Sequence, residues 1–336
     1  MSLPPSVPER LDHFMARANA AYYARENPFR DFTTSPEIFQ GFGEILGAWA
    51  AMVWQSMGRP TPFILAEAGP GQGTLMADAL RVLSRVAPDC HEAHRLHLIE
   101  TSPRLRAMQA AKLPHATWHD RVEDLPDAPF ILLANEFLDA LPIRQFVRQD
   151  GNWLERHVQN GMFTDLPVDP SWPGLTRPST HPNGAILEIN EQAEAITTHL
   201  ATRLRSHPGA VLLIDYGPAE STPGDSLQAL RDGQPANPLD NPGTADLTAH
   251  VDFAALAAVA SQAGVAVHGP TTQGRFLTAL GLPARAQALA RTRPPREAAA
   301  LVQAARRLTA PEAMGTLFKV LALCHPALPP PPGFEP

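Results

Sequence analysis

The chain has 336 residues, 44% of them apolar, which is enough for one large α/β core with an accessory lobe. Charged residues make up only 18% and the formal net charge is −7, so no basic face invites duplex DNA or bulk RNA. Cys90 and Cys324 stand far apart, which argues against a disulfide framework and suits a reducing, cytoplasmic setting.

The opening MSLPPSVPERLDHF carries no apolar signal segment, and no run is long enough to span a bilayer, so no membrane partner is expected. Residues 9–23 read as an amphipathic helix. Thr34–Ser35–Pro36–Glu37 is a helix-start signal, because a hydroxyl can cap, proline tolerates the first turn and glutamate suits the positive end. One helix is expected from there to the stop at Gly58–Arg59–Pro60, and residues 1–60 together read as an N-terminal helical lid.

From residue 61 to 325 the pattern alternates strand and helix. Apolar runs at 63–67 (FILAE), 96–100 (LHLIE), 116–119, 130–134 (FILLA), 210–215 (AVLLID), 265–269 (VAVHG) and 317–323 (LFKVLAL) read as seven strands. Continuous rather than alternating apolar runs, with helices between them, predict an open, Rossmann-like α/β sheet. Two insertions interrupt it. Residues 143–180 begin with alternating residues and the turns Asp150–Gly151 and Asn160–Gly161, which is β-hairpin chemistry. Residues 218–250, rich in proline, glycine and aspartate, read as a structured loop. The proline-rich tail, 326–336, reads as mobile.

The chemistry gathers where strands end. Glu67-Ala68-Gly69-Pro70-Gly71-Gln72-Gly73-Thr74 follows the first strand, and its glycines permit a tight turn and close backbone approach to a ligand. Dinucleotide loops place a pyrophosphate there, which Glu67 would repel. An acid instead suits an ammonium group, which favours S-adenosyl-L-methionine over NAD. Glu100 closes the second strand, where an acid can accept from ribose hydroxyls. Trp118–His119–Asp120 could frame an adenine, with Asp120 accepting from its amine, although ordinary packing explains the tryptophan equally. Asn135-Glu136-Phe137-Leu138-Asp139 follows the fourth strand, and its acids could hold a guanidinium or amine or, alternatively, cap a helix. Asp215–Tyr216–Gly217 repeats the pattern after the fifth. No clustered His/Cys motif supports a metal, and no G-x-S-x-G elbow supports a serine hydrolase.

Seven segments together resemble the MidA family, methyltransferases associated with assembly of respiratory complex I, and their bacterial relatives. They are RDFTTSPEIFQGFGEILG from Arg30, EAGPGQGTLM from Glu67, LANEFLDALPIRQF from Leu133, LIDYG from Leu213, NPLDNPGTADLTAHVDF from Asn237, QGRFLTALG from Gln273 and MGTLFKVLAL from Met314. Gln72, Phe39 and the lack of a histidine near Gly233 depart from the family's usual residues. The resemblance implies a seven-strand methyltransferase fold, S-adenosyl-L-methionine as cofactor and methyl transfer to an arginine presented by a protein. Glu67, Gly69, Gly71, Gly73 and Glu100 carry over as cofactor positions, and Asn135 and Glu136 as the motif beside the methyl group. Thr74, Asp120, Ser35, Pro36 and Glu37 join the expected cofactor shell, and Asp139 and Asp215 the expected catalytic set. The alternatives are a small-molecule or other N/O-methyltransferase and a non-catalytic, cofactor-binding assembly factor.

Overall fold

The computed structural model describes residues 7–24, 33–169, 171–172 and 181–334. Arg30–Phe32 of the N-terminal matching stretch and the last part of the 143–180 insertion lie outside the described residues. The chain forms two compact units. One comprises residues 33–138, 194–220 and 251–336 and is called here the sheet unit; the other comprises 1–32, 139–193 and 221–250 and is called the hairpin unit. Residues 1–32 of the expected lid fall in the hairpin unit and 33–60 in the sheet unit; the insertion at 143–180 and residues 221–250 of the second fall in the hairpin unit.

The sheet unit is built on seven strands, numbered along the chain: β1 Phe63–Ala68, β2 His94–Ile99, β3 Thr117–His119, β4 Phe130–Asn135, β5 Gly209–Tyr216, β6 Ala266–Thr272 and β7 Phe318–Cys324. Their spatial order is β3-β2-β1-β4-β5-β7-β6. β1 to β5 pair in parallel, whereas β7 runs antiparallel to both β5 and β6. All seven expected strands form, six within a residue or two of the runs that announce them and β6 extending three residues past its run, to Thr272. β1 and β4 are buried at every position. That is why neither shows polar alternation: sheet neighbours and helices enclose them on all sides.

The helix Gln40–Ser56 packs Phe42, Leu46 and Trp49 into one core with Leu65, Leu133 and Leu212 of the sheet. The continuous helix expected from Ser35 is instead two. Ser35–Ile38 forms a single turn, Phe39 is extended at φ −155°, and the long helix starts at Gln40. Neither Thr34 nor Phe39 caps through its side chain, so the start signal is met by proline and glutamate in the first turn, without the hydroxyl cap. The helix Glu191–Ser206 and the short helices Pro88–Ala93 and Gln273–Ala279 were not expected. The tail does not run free as far as Phe334: Trp49 Nε1 donates to the Pro332 carbonyl at 3.1 Å, and the Phe334 ring lies 5.3 Å from that of Phe276.

In the hairpin unit the strands Arg144–Gln149, Asn152–Gln159 and Met162–Pro167 form the expected consecutive hairpins. Asp150–Gly151 and Asn160–Gly161 all have positive φ, between 49° and 81°, the signature of turns that match strand twist. The pair Glu9–Arg10, expected as helix, joins this sheet beside Val158 and His157, and the helix is Leu11–Tyr23. Residues 218–250 are more than a loop. Gln228–Arg231, Gln234–Ala236 and Asp246–Thr248 form a small antiparallel sheet, turning at Asp232–Gly233 with φ 51° and 70°. Asn19 ties the helix to that sheet, its Nδ2 donating to Leu247 O at 2.8 Å and its Oδ1 accepting from Leu247 N at 3.1 Å.

Candidate functional site

Parallel strands end on one edge, so the residues that leave β1, β2, β4 and β5 are brought together there. Register makes this concrete. Glu67 pairs with Leu98 on one side and Leu133 on the other, and Asn135 pairs with Ile214, next to Asp215.

Glu67 is 3% exposed, accepts from the Met76 backbone amide, and has one oxygen, Oε2, without a partner. Burial pushes its carboxyl up to about 8, with the Met76 bond opposing. The following loop turns through Gly69, Gly71 and Gly73 at φ 65°, 51° and 74°. Only glycine takes three left-handed residues so close together without strain, and a Cβ on Gly69 would also meet the Phe137 ring at 2.9 Å. Thr74 begins the helix Thr74–Val86, and its hydroxyl accepts from Lys112 Nζ at 2.9 Å.

Glu100, just beyond β2, accepts from Ser102 N at 2.8 Å and from Gln109 Nε2 at 3.2 Å. Burial raises its pKa, with both bonds opposing. Asp120 is brought to a different partner: its side chain is 72% exposed and bonded to Arg106 at 2.7 Å. Trp118 Nε1 donates to Gln109 Oε1 at 2.8 Å. His119 stacks on His97 across the two strands, with Nε2 of the former 2.7 Å from Nδ1 of the latter, and burial holds both imidazoles below the ordinary range.

After β4, Glu136 sits at φ 51°, a strained position for a residue with a Cβ. Its Oε1 accepts from Ser35 N at 2.9 Å and from Asn135 Nδ2 at 3.0 Å, and burial raises its pKa against those bonds. Because the Asn135 amide nitrogen is committed to a carboxylate, its Oδ1 must point away; that oxygen is buried and lacks a partner. Pro36 is buried beside Ser35, and Glu37 is exposed. The first amide of this four-residue helix, Ser35 N, is the one that serves Glu136. Asp215 is 1% exposed and accepts from the backbone amides of Phe137, Leu138 and Tyr216. Asp139 belongs to the hairpin unit, where it and Asp246 reinforce burial in raising the pKa of Tyr23. Gln109 was not singled out by sequence, because a glutamine within a helix signals only a solvated face; its exposure is 0%.

The edge thus presents buried acceptors, Glu67 Oε2 and Asn135 Oδ1, with Glu136 and Glu100 beside them on the same strand ends. It suits a ligand that brings its own donors and no phosphate. S-adenosyl-L-methionine fits, with an ammonium group for the buried Glu67 and ribose hydroxyls for the half-buried Glu100. Among the described residues no three acidic, histidine or cysteine side chains cluster as a metal site. No described helix is long and apolar enough to cross a membrane.

Comparison with known proteins agrees. Residues 45–271 match the family model described as "Putative S-adenosyl-L-methionine-dependent methyltransferase". The protein arginine methyltransferase NDUFAF7 homolog, mitochondrial, of Drosophila melanogaster is 35% identical over 95% of this chain and 81% of its own length. Its counterpart named for Homo sapiens is 32% identical over 95% and 80%. A solved Burkholderia thailandensis structure bound to S-adenosyl-homocysteine superposes with a TM-score of 0.78 at 25% identity, covering 98% of this chain and 89% of that one. Fold and strand edge define a Rossmann-like, S-adenosyl-L-methionine-dependent methyltransferase. Within that class, the chain belongs to the MidA family.

Proposed function

We propose that the chain methylates an arginine side chain presented by a protein, with Glu136 as the group that receives the guanidinium. The observation that carries this reading is the pair Asn135 Oδ1 and Glu136: a buried acceptor without a partner beside a carboxylate fixed through one oxygen by Ser35 and Asn135. The names of the animal relatives, protein arginine methyltransferases, support the same substrate.

When bound, S-adenosyl-L-methionine supplies an electrophilic methyl group on a sulfonium sulfur. Glu67, Glu100 and the Gly69–Gly73 loop hold it in this reading. A guanidinium is cationic and a poor nucleophile, so the protein must localise its charge away from one nitrogen. Glu136 binds the opposite N–H groups, and Asn135 Oδ1 accepts from the same fork. As the nitrogen–methyl bond forms and the carbon–sulfur bond breaks, the guanidinium gives up one proton, which Glu136 accepts. Its raised pKa suits that exchange, since an ordinary surface carboxylate is a weaker base. Asp215, filled by three backbone amides, fixes the turn that carries Glu136. The compartment we assign is the cytoplasm, on two cysteines that are both free.

The test is transfer of a labelled methyl group from S-adenosyl-L-methionine to lysate proteins, followed by acid hydrolysis and amino-acid analysis. Label in methylarginine is expected. Label in small molecules, in methyl-lysine or in base-labile esters would overturn the reading.

A further inference from the structure

Gln109 lies on the helix Pro103–Lys112 and is wholly buried, unusual for an uncharged polar side chain of this length. Its amide meets three elements of the strand edge. Nε2 donates to the Gly71 carbonyl at 2.8 Å and to Glu100 Oε2 at 3.2 Å, and Oε1 accepts from Trp118 Nε1 at 2.8 Å. Chemistry alone fixes its orientation. An indole N–H only donates, so the amide oxygen must face Trp118; a carbonyl and a carboxylate only accept, so the amide nitrogen must face Gly71 and Glu100. Inverting the amide would break all three bonds.

We infer that Gln109 is a positioning residue for the cofactor, locking the glycine loop after β1, the acid after β2 and the tryptophan of β3 into one preformed surface. The inference rests on the assignment of this edge to S-adenosyl-L-methionine. The three partners come from three neighbouring strands, whose backbones are tied nearby by Gly69 N to Ile99 O at 3.1 Å and Glu100 N to His119 O at 3.0 Å, but no backbone hydrogen bond fixes the Gly71 carbonyl, the Glu100 carboxyl or the Trp118 indole to one another. Gly71 follows a proline in a loop of left-handed residues, and its carbonyl direction is set by this bond. Glu100 is a half-buried acid whose charged form is favoured by Gln109 and Ser102 together. Losing the amide therefore loosens the loop and makes Glu100 harder to ionise, although Gln109 need not touch ligand.

The experiment uses the full chain and calorimetric binding of S-adenosylhomocysteine. Gln109→Leu keeps the volume and should weaken binding at least tenfold. Trp118→Phe keeps an aromatic ring but removes its N–H, and should cost several-fold in the unaltered background and less than twofold in the Gln109→Leu background, where that N–H has already lost its acceptor. The acid limb of the affinity–pH profile should move to higher pH in Gln109→Leu, because Glu100 has lost a donor. A purely structural glutamine would move neither the profile nor the coupling. Binding by Gln109→Leu within twofold of the unaltered chain would overturn the proposal, as would equal Trp118→Phe losses in both backgrounds. Should Gln109→Leu fail to fold, Trp118→Phe alone decides: affinity within twofold counts against the lock, and a several-fold loss with an unchanged melting temperature supports it. Absence of binding by the unaltered chain would remove the cofactor site and this proposal with it, whereas equal binding by the variants removes only the proposal.

Discussion

Asp215, the penultimate residue of β5, accepts the Leu138 backbone amide at 2.9 Å, and the same oxygen takes Phe137 at 3.2 Å. A side chain of one strand thereby dictates the path of the chain leaving its neighbour. Its other oxygen accepts from Tyr216 N at 2.9 Å, so both face donors. An asparagine cannot reproduce this, because its NH2 would confront a backbone N–H whichever way it turned. Asp215→Asn should destabilise the fold by ~1–3 kcal/mol, the cost of leaving a buried donor unmet. Chemical denaturation gives that number. Unchanged stability would mean that the turn holds without Asp215.

Glu67 makes stability depend on pH. Its pKa is about 8 in the folded chain against 4.5 ordinarily, so the folded state favours the protonated acid. That contribution is complete below about pH 4.5 and is lost as pH rises through 8, with ~5 kcal/mol as an upper bound. The unliganded protein should therefore lose stability across this window, and Glu67→Gln should flatten the loss. A cationic ligand group reverses the preference by favouring the carboxylate. Adenosylhomocysteine should then bind with release of a proton near pH 7, which appears as a dependence of the calorimetric heat on buffer ionisation enthalpy. A heat independent of buffer would separate Glu67 from the ligand.

The helix Gln40–Ser56 reaches the helix Thr74–Val86 through glycine. A Cβ on Gly47 would lie 2.7 Å from both the Cα and the carbonyl oxygen of Ala79, which are backbone atoms and cannot rotate away. Gly47→Ala should cost ~1–3 kcal/mol by overpacking, despite the better helix propensity of alanine. At the exposed Met52 of the same helix, a change to leucine should leave the melting temperature unmoved. A stable Gly47→Ala would show that the two helices can part without penalty.

The legible part of the fold was its sheet, because strands enclosed on both sides are uniformly apolar and bounded by glycine or acid. The hairpins were legible for another reason, since Asp–Gly and Asn–Gly pairs have few uses beyond a turn with positive φ. Asp232–Gly233 carries the same signal, but proline and glycine on either side hid it, and three short strands read as loop. The break at Phe39 has no local cause of the kind that proline or glycine would provide. At the site, Glu67, Glu100 and Glu136 could be picked out as acids at strand ends. Gln109 could not, since its partners are 38, 9 and 9 residues away and meet it only once the sheet is assembled. Asp120 was readable only as an acid beyond β3; its ion pair with Arg106 of the preceding helix, Pro103–Lys112, is a contact across the fold.

Glu136 is the residue on which the proposed chemistry turns. It occupies a left-handed conformation that glycine or asparagine would adopt at lower cost, so the glutamate is held there against local strain. Its carboxylate is anchored by Ser35 N and Asn135 Nδ2, which position the group without neutralising it. Glu136→Gln preserves the size and the backbone strain and removes the charge and the proton acceptor. Turnover should fall by roughly two or more orders of magnitude, the range typical of lost general-base or charge-stabilising groups. Adenosylhomocysteine affinity should change little, because the cofactor in this reading is held by Glu67, Glu100 and the glycine loop. Asn135→Ala removes both the anchor of Glu136 and the unpartnered Oδ1, and should impair turnover as well. Single-turnover methyl transfer with matched calorimetry distinguishes the roles. Full activity in Glu136→Gln would take the residue out of the mechanism, and loss of binding together with activity would make it a cofactor or structural residue.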